Sequence, residues 1–417
     1  MMSILPLLVL VLIGSSASVS PVYTYNLTLT LINGGQPLSP DEYGGAYFYL
    51  LNQNIFPNSS FQSVELTRIT LNGIGAGYSL TYDSDGNPIV TINTNGSLGP
   101  NQNATVFMSF RATLNKTQLN LTSPGNLSSI PVELKQAYPL TGSFNISEIP
   151  NSQEIVETAL SIKGDEENVL AILLNLARWF EDNMVYSSNL SIPQDVSQTF
   201  ATKSGDCDDQ ANLFVTFCRI IGIPAYTTIG PIYIPGLTIE SEGNLRFNLT
   251  NAAWHGWVMA YLPGSGGQWV PVDLTFFRGA VLINEHVHST DAMQHITGSA
   301  LAYWDTLEYA YVKNLDYVSS AVQSKENITS SDIVWVEQHS MAMEGQQQTN
   351  FPAFDDPFSV LMFVVAIFAL LVFVITYLRR RSRGAGPPLT ISLWFFVAPR
   401  LARPPVSALP ASPLVAR

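Results

Sequence analysis

From Val22 to about Ser143, apolar and polar residues alternate in short runs: YTYNLTLTLI, AYFYLLN, GYSLTY, PIVTIN and TVFMSFRATL. Turns rich in Gly, Pro and Asn separate them. A period of two broken by frequent turns predicts an all-β sandwich over residues 21–148. The stretch DSDGN at 83–87 reads as a hairpin turn rather than a calcium loop. Thr94 stands where an EF-hand would need its final glutamate.

After Pro150 the period becomes helical. Ile155 to Ile162 predicts a short helix. Glu166 to about Met184 predicts a longer one, with Val169, Ile172, Leu173, Leu176 and Phe180 recurring at three and four. A third helix starts at Cys207 and places Phe214, Phe217, Cys218 and Ile221 on one face; Gly222 and Pro224 stop it. Strand-like AYTTIG, AAWHGWVMAYLP and QWVPVDLTF follow, the last two joined by GSGG. This organisation predicts an α+β domain over 150–335, then a linker or stalk over 336–357.

Two apolar stretches set the expected topology. Ile4 to Ile13 followed by GSSASVS reads as a signal peptide over residues 1–20, with an uncleaved N-terminal anchor as the alternative. Phe358 to Leu378 has 21 residues without a charge, long enough to span a bilayer as one transmembrane helix. RRRSR follows at once, and the positive-inside rule puts the basic tail, 379–417, in the cytoplasm.

Charge and glycosylation acceptors sharpen that picture. Seven arginines and no acid lie at or after position 379, so the rest of the chain carries 12 basic residues against 32 acids, a net charge of −20. Such a body offers no basic face for nucleic-acid phosphates. Asn-x-Ser/Thr occurs at Asn26, Asn58, Asn95, Asn103, Asn115, Asn120, Asn126, Asn145, Asn189, Asn248 and Asn327, all before the apolar span. The expected protein is a single-pass plasma-membrane glycoprotein with an acidic body outside. Its expected partners are membrane lipid around 358–378 and a protein or peptide substrate at the cell surface.

The candidate chemistry begins at SGDCDDQ. Cys207 opens a helix, where unpaired amides and the helix dipole favour a thiolate and can hold an oxyanion. A disulfide to Cys218, the only other cysteine, is excluded if the helix forms. Eleven helical residues separate the two by roughly 16 Å, against the roughly 4.4–6.8 Å between Cα atoms that a bridge requires. A nucleophilic cysteine needs a base, and the base an orienting group. His255 in WHGWV and Asp273 in WVPVD supply the residue types on adjacent strands. In an ideal hairpin register His255 faces Phe276 and Asp273 points to the opposite side. A slip of one residue brings both to one face.

SGDCDDQANLFVTFCRIIGIPAYTTIG, WHGWVMAYLP and GGQWVPVDLTF together resemble the transglutaminase-like superfamily of papain-like cysteine enzymes. The pattern is a Gly-x-Cys helix ending in Gly-Ile-Pro-Ala, a His-x-Trp strand and a Trp-x-x-x-Asp strand, in that order. The resemblance covers roughly 155–280. It implies Cys207 as nucleophile, His255 as general base and acid, and Asp273 as the residue orienting the imidazole. It further implies Trp179 or Tyr186 as a border of the acyl site. Tyr226 departs from the pattern, since many members carry arginine there.

A second constellation, Glu285, His286, His288, Asp291 and His295, contains possible zinc ligands, but its spacing matches no standard motif. It reads as a polar loop at the domain rim, and no metal or cofactor is expected. Two functions stay open: a thiol-dependent acyl-transfer enzyme (peptidase, amidase or transglutaminase), or a cell-surface binding protein that keeps the fold without the chemistry. The intact triad favours the enzyme, and hydrolysis is the default outcome in an open cleft.

Overall fold

The computed structural model describes residues 20–115, 118–187, 192–303, 305–328 and 332–345. The expected signal peptide, transmembrane helix and basic tail lie outside these residues, as do Asn189 and most of the expected stalk. Among the described residues no helix is long and apolar enough to cross a membrane.

Alternation builds the first strand as the sequence predicts. In Val22–Asn33, Tyr23, Tyr25, Leu27, Leu29 and Leu31 point inward and are buried, while Thr24, Asn26, Thr28 and Thr30 are not. Gln102–Leu114 repeats the pattern with Ala104, Val106, Met108, Phe110, Ala112 and Leu114. DSDGN is the hairpin turn between Tyr78–Tyr82 and Pro88–Ile92.

These strands do not form a sandwich of their own. They belong to a nine-stranded sheet in the order Ala310–Val312, Ala225–Glu240, Leu245–Leu262, Ile333–Met343, Val22–Asn33, Gln102–Leu114, Gln62–Leu71 and Ile74–Gly75, with Gln268–Val272 also paired to Leu245–Leu262. Only Asn52–Asn54, Tyr78–Tyr82 and Pro88–Ile92 form a separate three-stranded sheet.

The joint is Ile333–Met343, which extends well into the stretch expected to be linker. It pairs antiparallel with Val22–Asn33 along eleven residues and parallel with Leu245 to Thr250. An open strand edge is satisfied by another strand, and a segment with alternating Ile333, Trp335 and Met341 buried meets that need. Its inward polar residues are paired: His339 bonds Tyr25 at 2.8 Å and Glu337 at 3.1 Å, and Trp335 donates to Glu337 at 2.7 Å. The expected break near 150 therefore divides a continuous sheet, within one compact unit that runs to Glu344.

The three helices fall where periodicity puts them: Ser152–Lys163, Val169–Asn183 and Cys207–Ile221, the last ending on left-handed Gly222 at φ 92°. The Cys207 helix is central and buried from Cys207 to Arg219. It packs Leu213, Phe214 and Phe217 into a core shared with Leu173, Leu176 and Phe180 of the preceding helix and with Val258, Ala260 and Leu262 of the sheet.

Candidate active site

Cys207 is the first residue of its helix, after Asp206. Asp209 reaches back to accept from the Asp206 amide at 3.1 Å, one arm of a capping box. Asp209 is held by Gln194 as well, from its amide at 2.6 Å and its side chain at 3.2 Å. Both cysteines are free and buried, and Cys218 lies deep in the core.

The environment of the thiol is not that of a resting thiolate. Burial first, then Asp206 and Asp208, push the Cys207 thiol well above its ordinary range; a hydrogen bond from the Gly256 amide pulls it down, and Asp209 pushes it further up. Asp208 Oδ1 lies 3.9 Å from Sγ, and its other oxygen accepts from the Tyr317 hydroxyl at 3.1 Å.

His255 and Asp273 meet. Nε2 of His255 lies 2.7 Å from Asp273 Oδ2, and both side chains are buried. The register explains this. The hairpin pairs Val258 with Val272 and Leu262 with Gln268, one residue away from the ideal register. A turn of helix at Gly264–Gly266 and Gly267 at φ 82° take up the slip. Continued past its last pair, that ladder sets His255 opposite Thr275, on the same face as Asp273.

Asp273 keeps Oδ2 for His255 because Oδ1 is occupied: it accepts from the amides of Thr275 at 3.0 Å and Phe276 at 2.9 Å. An ionised carboxylate can only accept, so Nε2 of His255 carries the hydrogen and Nδ1 has the lone pair. The ring is wedged between Trp257, nearly parallel at 5.9 Å, and Phe276, edge-on at 5.9 Å. Gly256, next in the chain, bonds the thiol and ties this strand to the cysteine.

The outer candidates divide. Tyr186 borders the thiol: burial and then the charges of Cys207, Asp206, Asp208 and Asp209 push its phenol far above its ordinary range. Trp179 sits elsewhere, stacked on Phe200 and edge-on to Phe217 beneath Lys203. Tyr226 packs in a small cluster with Trp257 and Met259 and against Trp269, Tyr311 and Tyr138.

Of the second constellation, Glu285 and Asp291 are exposed as expected of a rim loop, and His286 and His288 are half-buried. His295 departs from that expectation. It is 1% exposed, with Nδ1 2.7 Å from the Asp273 carbonyl and Nε2 2.9 Å from Glu181. Among the described residues, the only three side chains placed to share a metal ion are Asp206, Cys207 and Asp208. Sequence reasoning missed Gly256, Tyr317, Glu181 and the buried role of His295. Gly256 had a signal, a residue without a side chain directly after the histidine.

A cysteine at a buried helix start, a histidine and an acid on adjoining strands: this is the arrangement of papain-like cysteine enzymes. Residues 156–274 match the model of the transglutaminase-like superfamily, so this part of the chain is a transglutaminase-like domain. No curated protein matches the sequence. Among solved structures, the chain is similar to a candidate cysteine protease from Cytophaga hutchinsonii, with 14% identity over 80% of this chain and 93% of that one and a TM-score of 0.43. It is similar to the periplasmic domain of TgpA from Pseudomonas aeruginosa, with 16% identity over 62% and 91% and a TM-score of 0.28. A candidate protease from Parabacteroides distasonis aligns at 9% identity over 71% and 68%, with a TM-score of 0.23.

Proposed function

We propose that the protein is a thiol-dependent acyl-transfer enzyme acting on amide bonds of peptides or proteins, with Cys207 as nucleophile, His255 as base and acid, and Asp273 orienting the imidazole. The observation that carries this reading is the buried 2.7 Å His255–Asp273 contact on the strand whose next residue bonds the Cys207 thiol. Because the thiol rests neutral, Nδ1 of His255 takes its proton as sulfur attacks the substrate carbonyl. The free amides of the Cys207 helix start hold the oxyanion. Nδ1 then returns the proton to the leaving amine, and the thioester passes its acyl group to water. An amine acceptor in place of water makes the same centre a transglutaminase.

The raised thiol favours one other reading, a binding protein that retains the fold. Alkylation of full-length protein with iodoacetamide separates the two. The enzyme reading requires labelling of Cys207 that falls in His255→Ala; equal rates in both would leave the binding reading. Incubating glutamine peptides with and without an amine then distinguishes hydrolysis from transfer.

The location we propose is outside a plasma membrane, held by 358–378. The acceptor asparagines support it: none of the ten described is buried, and Asn58, Asn95, Asn103, Asn120, Asn126 and Asn145 are exposed. Glycosidase treatment that leaves the apparent mass unchanged would count against it.

A further inference from the structure

Asp273 stands where its strand runs out of partners. The ladder to the His255 strand ends at Val258 and Val272, so the next residue has no strand neighbour to fix its peptide groups. One residue supplies both bonds. The Asp273 amide donates to the His295 carbonyl at 2.8 Å, and the His295 ring lies 2.7 Å from the Asp273 carbonyl through Nδ1. A carbonyl only accepts, so Nδ1 carries a hydrogen.

The other ring nitrogen faces an acceptor too. Nε2 lies 2.9 Å from Glu181 Oε1, which also accepts from the Ser289 amide at 2.6 Å. Both ring nitrogens are thus directed at oxygen atoms, Nδ1 at the Asp273 carbonyl and Nε2 at the Glu181 carboxylate. Phe277 covers its face at 4.3 Å between ring centres. The pair thus joins the helix Val169–Asn183 to the end of the strand that carries the acid.

We propose that His295, locked by Glu181, is a positioning residue for the reaction: it clamps the Asp273 backbone so that Oδ2 meets His255. The inference rests on the enzyme reading above. His295 touches no reacting atom; it acts by removing the freedom of the one residue that orients the base. A misplacement of about 1 Å in such a group costs up to about a hundredfold in rate.

The test measures iodoacetamide alkylation of Cys207 in full-length protein across pH for wild type, His255→Ala, His295→Ala, His295→Asn and Glu181→Gln. The wild-type and His255→Ala profiles decide the enzyme reading by themselves. With those two distinct, folded His295→Ala should move about tenfold or more toward the His255→Ala profile. His295→Asn should recover much of the loss, because its amide donor stands near the position of Nδ1. Glu181→Gln, which keeps the shape but removes the charge, should slow alkylation severalfold. A wild-type profile in Glu181→Gln would overturn the proposal, even if His295→Ala does not fold.

Discussion

Gly256 lies directly on Asp208. A Cβ built at 256 would stand 2.9 Å from the Asp208 Cβ and 3.0 Å from its Cα, closer than side-chain carbons tolerate. The glycine hydrogen is what allows the histidine strand to touch the first turn of the cysteine helix. Gly256→Ala should force the two apart, costing about 1–3 kcal/mol as overpacking does. Alkylation of Cys207 should slow more than that loss of stability accounts for. Paired measurements of the alkylation rate and the urea midpoint check this.

The His255–Asp273 pair predicts an unequal set of variants. Cys207→Ala should abolish thiol labelling, because Cys218 is sealed in the core. Asp273→Asn leaves the shape intact but lets the amide donate, favouring the wrong tautomer of His255. Turnover should then fall by about 10⁴-fold, the order seen when a triad acid is neutralised. Kinetics on any cleaved peptide check it, with thermal unfolding to confirm the fold.

Asp209 makes stability depend on pH in an uncommon direction. Burial first, then the charge of Asp208, push its carboxyl up to about 7 from 3.8. Between those values the folded chain holds a proton the unfolded chain has released. This group therefore stabilises the fold at acid pH, and the contribution is lost as pH rises from about 4 to about 7. Glu181 works the opposite way. Burial raises it, but bonds from His295 and Ser289 outweigh that and hold it below 4.5, so its contribution is lost as pH falls. Urea midpoints at pH 5 and pH 8 should differ less in Asp209→Asn than in the wild type.

Trp335 tests the sheet. Buried at 3% exposure against the N-terminal strands, with its ring nitrogen bonded to Glu337, Trp335→Ala should cost about 3–5 kcal/mol. The urea midpoint measures it.

Arg219 is a buried cation held by backbone carbonyls. It donates to the carbonyls of Ala225, Pro139 and Lys313 and lies over Phe144 at 4.1 Å. Burial lowers it to about 10, so it remains charged at neutral pH. Arg219→Met fills part of the space and leaves those carbonyls without a donor, for a loss of about 3 kcal/mol or more. Chemical denaturation should show it, with Cys207 alkylation in the folded fraction retained.

What the sequence determined by itself was local. The Cys207 helix, its capping acids, its glycine stop and the alternation of Val22–Asn33 follow from neighbours a few residues apart, and each is where periodicity puts it. The acids that seem to oppose a thiolate serve the helix: Asp209 spans four residues to cap Asp206. Burial adds what the sequence could not display, a thiol raised enough to need His255 for its proton.

Tertiary structure decided everything that depends on distant partners. The sheet closes only when Ile333–Met343 returns to a strand more than 300 residues earlier, a pairing no local pattern encodes. The dyad depends on one residue of register, set by how the chain turns at Gly264–Gly267, because the side-chain period of a strand is two. His295 looks like a loop histidine in any window of the sequence. Only the fold brings it against Asp273 and Glu181, 22 and 114 positions away, and makes it part of the site.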